Sequence, residues 1–238
     1  MKYIIADLKT EYDAKYPMLK ERSKAYESDF DDEERDFLIK LKEGFIERQL
    51  EIYKELTIEQ HEYMWIGEGF YRNLLLHNGF LLHSSCVEKD GYAYLFSAKS
   101  GTGKSTHTHL WLKNLENTRI INDDKPALRF MDGKWYAYGT PFSGKTDENL
   151  NVRVPVRAVI FIERGEKNIV KRMPLNEAIG KFLNQTVRPY SNESANYLLE
   201  NLDLLLRSVP VLSLTCNMDD DAAITSYNEI ERLCKNED

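Results

Sequence analysis

The apolar positions of this chain change period several times, and each change marks an element. Residues 2–8 read as a short strand. Residues 11–27 are charged, and the run Lys20-Glu21-Arg22-Ser23-Lys24-Ala25 suggests an exposed helix after Pro17. The acidic run over 29–36 reads as a solvated loop and 37–41 as a strand. From Gly44 the pattern turns helical, with Phe45, Ile46, Leu50, Ile52, Tyr53 and Leu56 at mixed three- and four-residue steps. Thr57-Ile58-Glu59-Gln60 resembles a capping box, and the helix it opens carries a stripe of Tyr63, Ile66, Phe70, Leu74 and Leu75 until Asn78-Gly79 stops it.

After Gly79 the texture becomes β-rich. Residues 80–88 and 92–97 predict two strands joined by a hairpin turn at Asp90-Gly91, because that pair tolerates the positive φ angles such a turn needs. A helix through Leu110, Trp111 and Leu115 follows, then a strand over 118–122. A second hairpin over 127–138 turns at Asp132-Gly133, and residues 139–145 form a loop. Residues 154–162 read as a buried strand, with 168–172 expected to pair with it across Gly165. Pro174 opens a helix over 175–185, residues 191–208 form a leucine-dense helix, 209–215 a strand, and 219–235 a closing helix. Hairpins around a strand–loop–helix unit predict an α/β fold with a mixed sheet. Residues 79–238 form its core, and residues 1–78 a smaller, mainly helical N-terminal lobe.

Composition narrows the class. The 238 residues suffice for one large domain or a domain with a small lobe. A net charge of -7 argues against a nucleic-acid partner and gives no encouragement for an anionic membrane surface. No apolar run approaches the roughly 20 residues that span a bilayer. Cys86, Cys216 and Cys234 are odd in number and widely spaced, which indicates neither a disulfide framework nor a zinc site. These features suggest a cytoplasmic protein, and a homo-oligomer is compatible with them.

The chemistry is concentrated in Ala98-Lys99-Ser100-Gly101-Thr102-Gly103-Lys104-Ser105-Thr106, between a strand and a helix. This is the phosphate-binding loop (P-loop) pattern, with Ala98 where the strict form has glycine. Gly101 and Gly103 let backbone N–H groups converge on one point, and the helix N-terminus adds partial positive charge there. In this pattern Lys104 reaches the β- and γ-phosphates of a bound nucleotide, and Ser105 holds Mg²⁺. A methyl group at Ala98 is tolerable if that position keeps negative φ. Asp123-Asp124, after the strand over 118–122, supplies carboxylates about one helix after Ser105. Adjacent strand residues point to opposite faces, so one carboxylate can serve Mg²⁺ and the other can take a proton as general base. His83 falls across the first hairpin, close to the loop; a lone strand histidine is more often structural than catalytic.

The order Leu82-His83-Ser84-Ser85-Cys86-Val87, hairpin, phosphate loop and Ile121-Asn122-Asp123-Asp124 resembles the catalytic domain of the HPr kinase/phosphorylase family and its relative, ATP-type phosphoenolpyruvate carboxykinase. The resemblance covers about residues 80–160. It implies that Lys104 and Ser105 are the loop lysine and metal-binding hydroxyl. It implies that Asp124 is the proton acceptor or a metal ligand, and that His83 is an active-site residue. Arg153, in Asn151-Val152-Arg153-Val154-Pro155, resembles the carboxykinase arginine that reaches the transferring phosphate. The HPr-kinase C-terminal signature is missing, and the chain is far shorter than a carboxykinase. The resemblance is therefore to the shorter kinases acting on free serine, other small hydroxyl compounds or a serine of a precursor peptide. The expected activity is ATP- and Mg²⁺-dependent transfer to a hydroxyl of a small metabolite, a polyol such as inositol or a hydroxy amino acid such as serine. A serine of a peptide or carrier protein is the alternative acceptor, and a non-catalytic nucleotide-binding regulator the alternative class. Pro141-Phe142-Ser143-Gly144-Lys145 reads equally as a substrate-facing loop and as a plain turn. His107 and His109, in the first turns after the loop, can approach the nucleotide but read more simply as helix-surface residues, and Gln185 and Arg188, at a helix end, can face the acceptor.

Overall fold

The structure, a computed structural model, describes residues 1–235; residues 236–238, the end of the expected core, lie outside it. In chain order the elements are β1 (Lys2–Ile5), β2 (Leu8–Tyr12), α1 (Pro17–Ser23), β3 (Phe37–Ile39), α2 (Phe45–Ile52) and α3 (Ile58–Leu74). Then come β4 (Gly79–Leu81), β5 (Ser84–Lys89), β6 (Tyr92–Ser97), α4 (Lys104–Asn114), β7 (Thr118–Asn122), β8 (Ala127–Met131) and β9 (Lys134–Tyr138). The chain continues with β10 (Arg153–Arg164), β11 (Ile169–Arg172), α5 (Leu175–Leu183), α6 (Asn192–Ser208), β12 (Val211–Cys216) and α7 (Asp221–Cys234). Both hairpin turns form where Asp-Gly predicts them, with positive φ at Asp90, Gly91, Asp132 and Gly133. The capping box at Thr57 and Gln60 is also present.

Three expectations change. The strand over 2–8 is two strands, β1 and β2, turning at Ala6-Asp7 with φ of 53° and 57°. No glycine announces that turn; Arg129 donates to the Ala6 carbonyl at 2.7 Å, and Tyr138 donates to Asp7 at 2.9 Å. The strand over 80–88 breaks at Leu82-His83 into β4, which pairs with β8, and β5, which pairs with β6 and β7. Finally, β11 pairs antiparallel with β12, not with β10, because β10 already has β6 and β12 as neighbours.

The N-terminal part contains a three-stranded sheet, β1-β2-β3, beside its helices. Its Tyr3, Phe70 and Leu74 share one hydrophobic cluster with Phe80, Phe161 and Phe182 of the remainder. Nine strands among the described residues form the mixed sheet. β5 runs antiparallel to both β6 and β7, and β6, β10 and β12 run parallel. Hence β7, β6, β10 and β12 all end at one edge, at Asn122, Ser97, Arg164 and Cys216. That is the edge where open α/β sheets bind ligands.

Both faces of this sheet are covered, as the alternation in β6 requires. Ala93 and Leu95 enter the cluster with α3, α5 and α6. Tyr94 and Phe96 enter a second one with α4 and α7. On that second face His107 is buried against Trp111, Ser226 and Phe96, so it is a core residue and not a surface one. Burial pushes its imidazole down to about 4. The unfolded chain therefore binds a proton near pH 6.5 that the fold refuses until about pH 4. Stability is fully present above pH 6.5 and is expected to fall by about 3 kcal/mol as pH drops through that window. Urea unfolding at pH 7 and pH 4.5 checks this, and His107→Gln should flatten that part of the profile.

Candidate active site

The site is built on the C-terminal edge from three neighbouring strands. β6 delivers Ser97 and the 98–103 loop, and α4 begins at Lys104. Gly101 and Gly103 take φ of 77° and 117°, conformations that favour glycine, while Ala98 is not among the residues with positive φ. The helix thus points its free N–H groups along the loop. Lys104 is buried, and its ammonium donates to the Ala98 carbonyl at 3.1 Å. Burial pushes its pKa down, and the Asp124 and Asp123 carboxylates push it back up.

β7 delivers the two carboxylates, and a turn after it separates them. The Asn122 side-chain oxygen accepts from the N–H groups of Asp124 at 3.0 Å and Lys125 at 2.7 Å, which fixes the turn. Asn122 is held in its own place by hydrogen bonds to Thr140. Asp123 is buried and faces α4. Ser85 donates to its Oδ1 at 2.6 Å, while Ser105 and Thr146 donate to its Oδ2 at 3.0 and 3.1 Å. Asp124 faces the other way: its Oδ1 lies 3.0 Å from His83 Nε2 and its Oδ2 3.1 Å from Lys125 Nζ. Burial opposes charge on Asp124, but His83 and Lys125 outweigh it and hold the carboxyl down at about 2.

His83 sits in the break between β4 and β5, and Gln185 grips it twice. The Gln185 carbonyl accepts from the His83 N–H at 2.7 Å, and its side-chain oxygen lies 3.0 Å from Nδ1. A cationic ring donates to both Asp124 and Gln185. A neutral ring keeps both contacts if the Gln185 amide rotates to present its NH₂.

The loop after β9 closes over Asp124. Phe142 is buried among Tyr63, Phe70 and Tyr71. The Gly144 N–H donates to the Tyr63 hydroxyl at 3.0 Å, and Arg22 donates to the Gly144 carbonyl at 2.6 Å. Gly144 has φ of 77°, and a Cβ there would fall 2.7 Å from Asp124 Cβ. Gly144→Ala is therefore expected to cost about 1–3 kcal/mol of stability and to displace this loop from Asp124. Denaturant unfolding measures the first effect, and a lowered turnover number the second.

Lys104, Ser105, Asp123, Asp124 and His83 thus converge, while Arg153 does not. It lies at the start of β10, 2.9 Å from Asp7 and against the Tyr136 ring. Phe161, eight residues further along, is the position opposite Ser97, so Arg153 is roughly 26 Å from the loop. It belongs to the contact that holds the β1–β2 turn. Arg164, at the other end of the same strand, takes the place beside the loop: it donates to the carbonyls of Gly101 at 2.5 Å and Thr102 at 3.0 Å. Asp124 is also a poor metal ligand here, since one oxygen faces His83 and the other the Lys125 ammonium, whereas among the described residues the Asp123 carboxylate meets only hydroxyl groups. Lys125, Ser85, Thr146, Arg22 and Arg164 escape sequence reasoning. Only Lys125 had a signal, its place next to the acidic pair.

His109, on the first turns of α4, lies 2.6 Å from the Ser105 carbonyl and 3.3 Å from Glu148. Burial opposes its charge, but the carbonyl and Glu148 outweigh that and raise its pKa.

No protein-family model matches the chain. No curated protein matches it either. Among solved structures it is similar to the Hpr(Ser) kinase/phosphatase from Coxiella burnetii, at 13% sequence identity and a TM-score of 0.39, over 66% of this chain and 99% of that chain.

Proposed function

We propose that this protein is an ATP-dependent kinase that transfers a phosphoryl group to a hydroxyl of a small molecule. The observation that carries the reading is the division of labour between adjacent carboxylates. Asp123 is hydrogen-bonded to the serine of the glycine loop, and Asp124 to a histidine on the opposite face. A protein that only binds nucleotide has no use for the second arrangement.

The loop amides, the α4 N-terminus and Lys104 supply positive potential for the β- and γ-phosphates. The acceptor hydroxyl gives its proton to Asp124 while its oxygen bonds to the γ-phosphorus; the bond to the β-phosphate oxygen breaks, and ADP leaves. In a loose transition state the hydroxyl proton becomes acidic only as the new bond forms, so a carboxylate with a pKa of about 2 suffices as acceptor. His83 and Lys125 orient that carboxylate and keep it charged.

The residues fit Mg²⁺. Ser105 and Asp123 are hard oxygen donors 3.0 Å apart at the head of α4. Among the described residues no cluster of three His, Cys, Asp or Glu forms a metal cage. One or two protein oxygens plus phosphate and water are what this ion normally takes. When bound, it would neutralise charge on the phosphates.

ADP release from ATP and Mg²⁺ against serine, inositols, sugars and serine-containing peptides tests the proposal. Stimulation by a small hydroxyl compound is the expected result. Stimulation by peptides alone would move the acceptor to a peptide or carrier protein. Slow hydrolysis indifferent to every acceptor would identify a nucleotide-binding regulator and overturn the kinase.

A further inference from the structure

A cavity of about 380 Å³ lies between the 98–103 loop and α5. Phe161 contributes to its wall, and Lys99, Glu163, Arg164, Lys181 and Gln185 to its lining. Gln185 is the residue that holds His83, so the cavity adjoins the His83–Asp124 pair on the face that Asp124 occupies. The phosphate-facing groups Ser105 and Asp123 lie on the α4 face instead. Two reactants brought to the γ-phosphorus from these two sides would approach it as an in-line displacement needs.

The charge of the lining bears on what enters. Lys181 is neutralised by Glu163 at 2.7 Å. Among the described residues Arg164 meets only the carbonyl oxygens of Gly101 and Thr102. Lys99 is exposed and has no ion pair among the described residues. Two cations are thus left without a carboxylate beside the loop, in a chain whose net charge is -7. A cavity at the small end of the roughly 300–1,000 Å³ typical of ligand sites suits a metabolite better than a peptide segment.

We propose that this cavity is the acceptor pocket, and that it selects a hydroxyl compound carrying an anionic group, carboxylate or phosphate, over a neutral polyol. The proposal rests on the kinase reading and narrows its substrate class. Lys99 and Arg164 hold the anion, while the hydroxyl reaches past Gln185 to Asp124.

Ligand-observed NMR on the full chain with a non-hydrolysable ATP analogue, using glycerol, glycerate and glycerol 3-phosphate as probes, tests it. At least one charged probe is expected to bind about tenfold more tightly than glycerol, the factor a single charged hydrogen bond supplies. In Lys99→Gln that preference falls towards one, and Lys181→Gln, which frees Glu163, weakens it as well. Preference for glycerate names a carboxylate, and preference for glycerol 3-phosphate a phosphate. Equal binding of all three, or a preference untouched in Lys99→Gln, overturns the pocket. The kinase reading fails separately, if the analogue does not bind or ADP release ignores every acceptor.

Discussion

Asp124→Asn is expected to lower acceptor-dependent turnover by about 10²–10⁴-fold, the range a positioned proton acceptor contributes. The amide keeps the shape of the carboxylate and can still meet His83, but it cannot take the hydroxyl proton. Affinity for an ATP analogue should move much less, because the loop, Lys104 and Asp123 lie on the other side of the turn. The substitution also removes the charge that His83 and Lys125 stabilise. A carboxyl held at about 2 in place of 3.8 contributes about 2 kcal/mol, present above pH 3.8 and lost as pH falls towards 2. Single-turnover kinetics, analogue binding and urea unfolding at pH 7 separate these effects. Full turnover in the variant would remove Asp124 from the chemistry.

Lys104→Met should be as damaging to nucleotide use and nearly silent in stability. Its ammonium faces one carbonyl, that of Ala98, in a buried setting that already opposes the charge. Replacing it with an apolar chain of similar length removes that desolvation cost together with one hydrogen bond and the attraction of Asp124 and Asp123, and these are expected to cancel within about 1 kcal/mol. The phosphates, by contrast, lose a buried cation, and kcat/KM for ATP is expected to fall about 10²–10³-fold. Steady-state kinetics beside thermal unfolding gives the test. A variant that unfolds easily but turns over normally when folded would make Lys104 a structural residue.

Much of this arrangement was legible because its causes are local. The glycines of the 98–103 loop, the two Asp-Gly turns and the Thr57–Gln60 cap act through the conformations of their own few residues. Each element forms where expected. That Asp123 and Asp124 face opposite ways was also expected, though the cause is the turn that Asn122 fixes beyond the end of β7 and not alternation along a strand. Arg153 went the other way. The Asn-Val-Arg-Val-Pro segment looks the same at either end of a strand, and only the parallel register of β10 against β6 puts it at the far edge. Register is set by contacts between residues more than fifty positions apart, and no local pattern encodes them.

The same division holds for the partners of the site. Gln185 reaches His83 across 102 residues, Arg22 reaches Gly144 across 122, and Tyr63 reaches Gly144 across 81. The Ala6-Asp7 turn is held by Arg129 and Tyr138. By itself the sequence determined the loop, the carboxylate pair, the alternation of buried faces and most element boundaries, because steric limits on φ and periodic burial act over a few residues. The tertiary structure alone decided which carboxylate meets His83, which arginine stands by the loop, and which residues hold Asp124 in place. Those choices depend on strand order and on side chains that meet only after the sheet has closed.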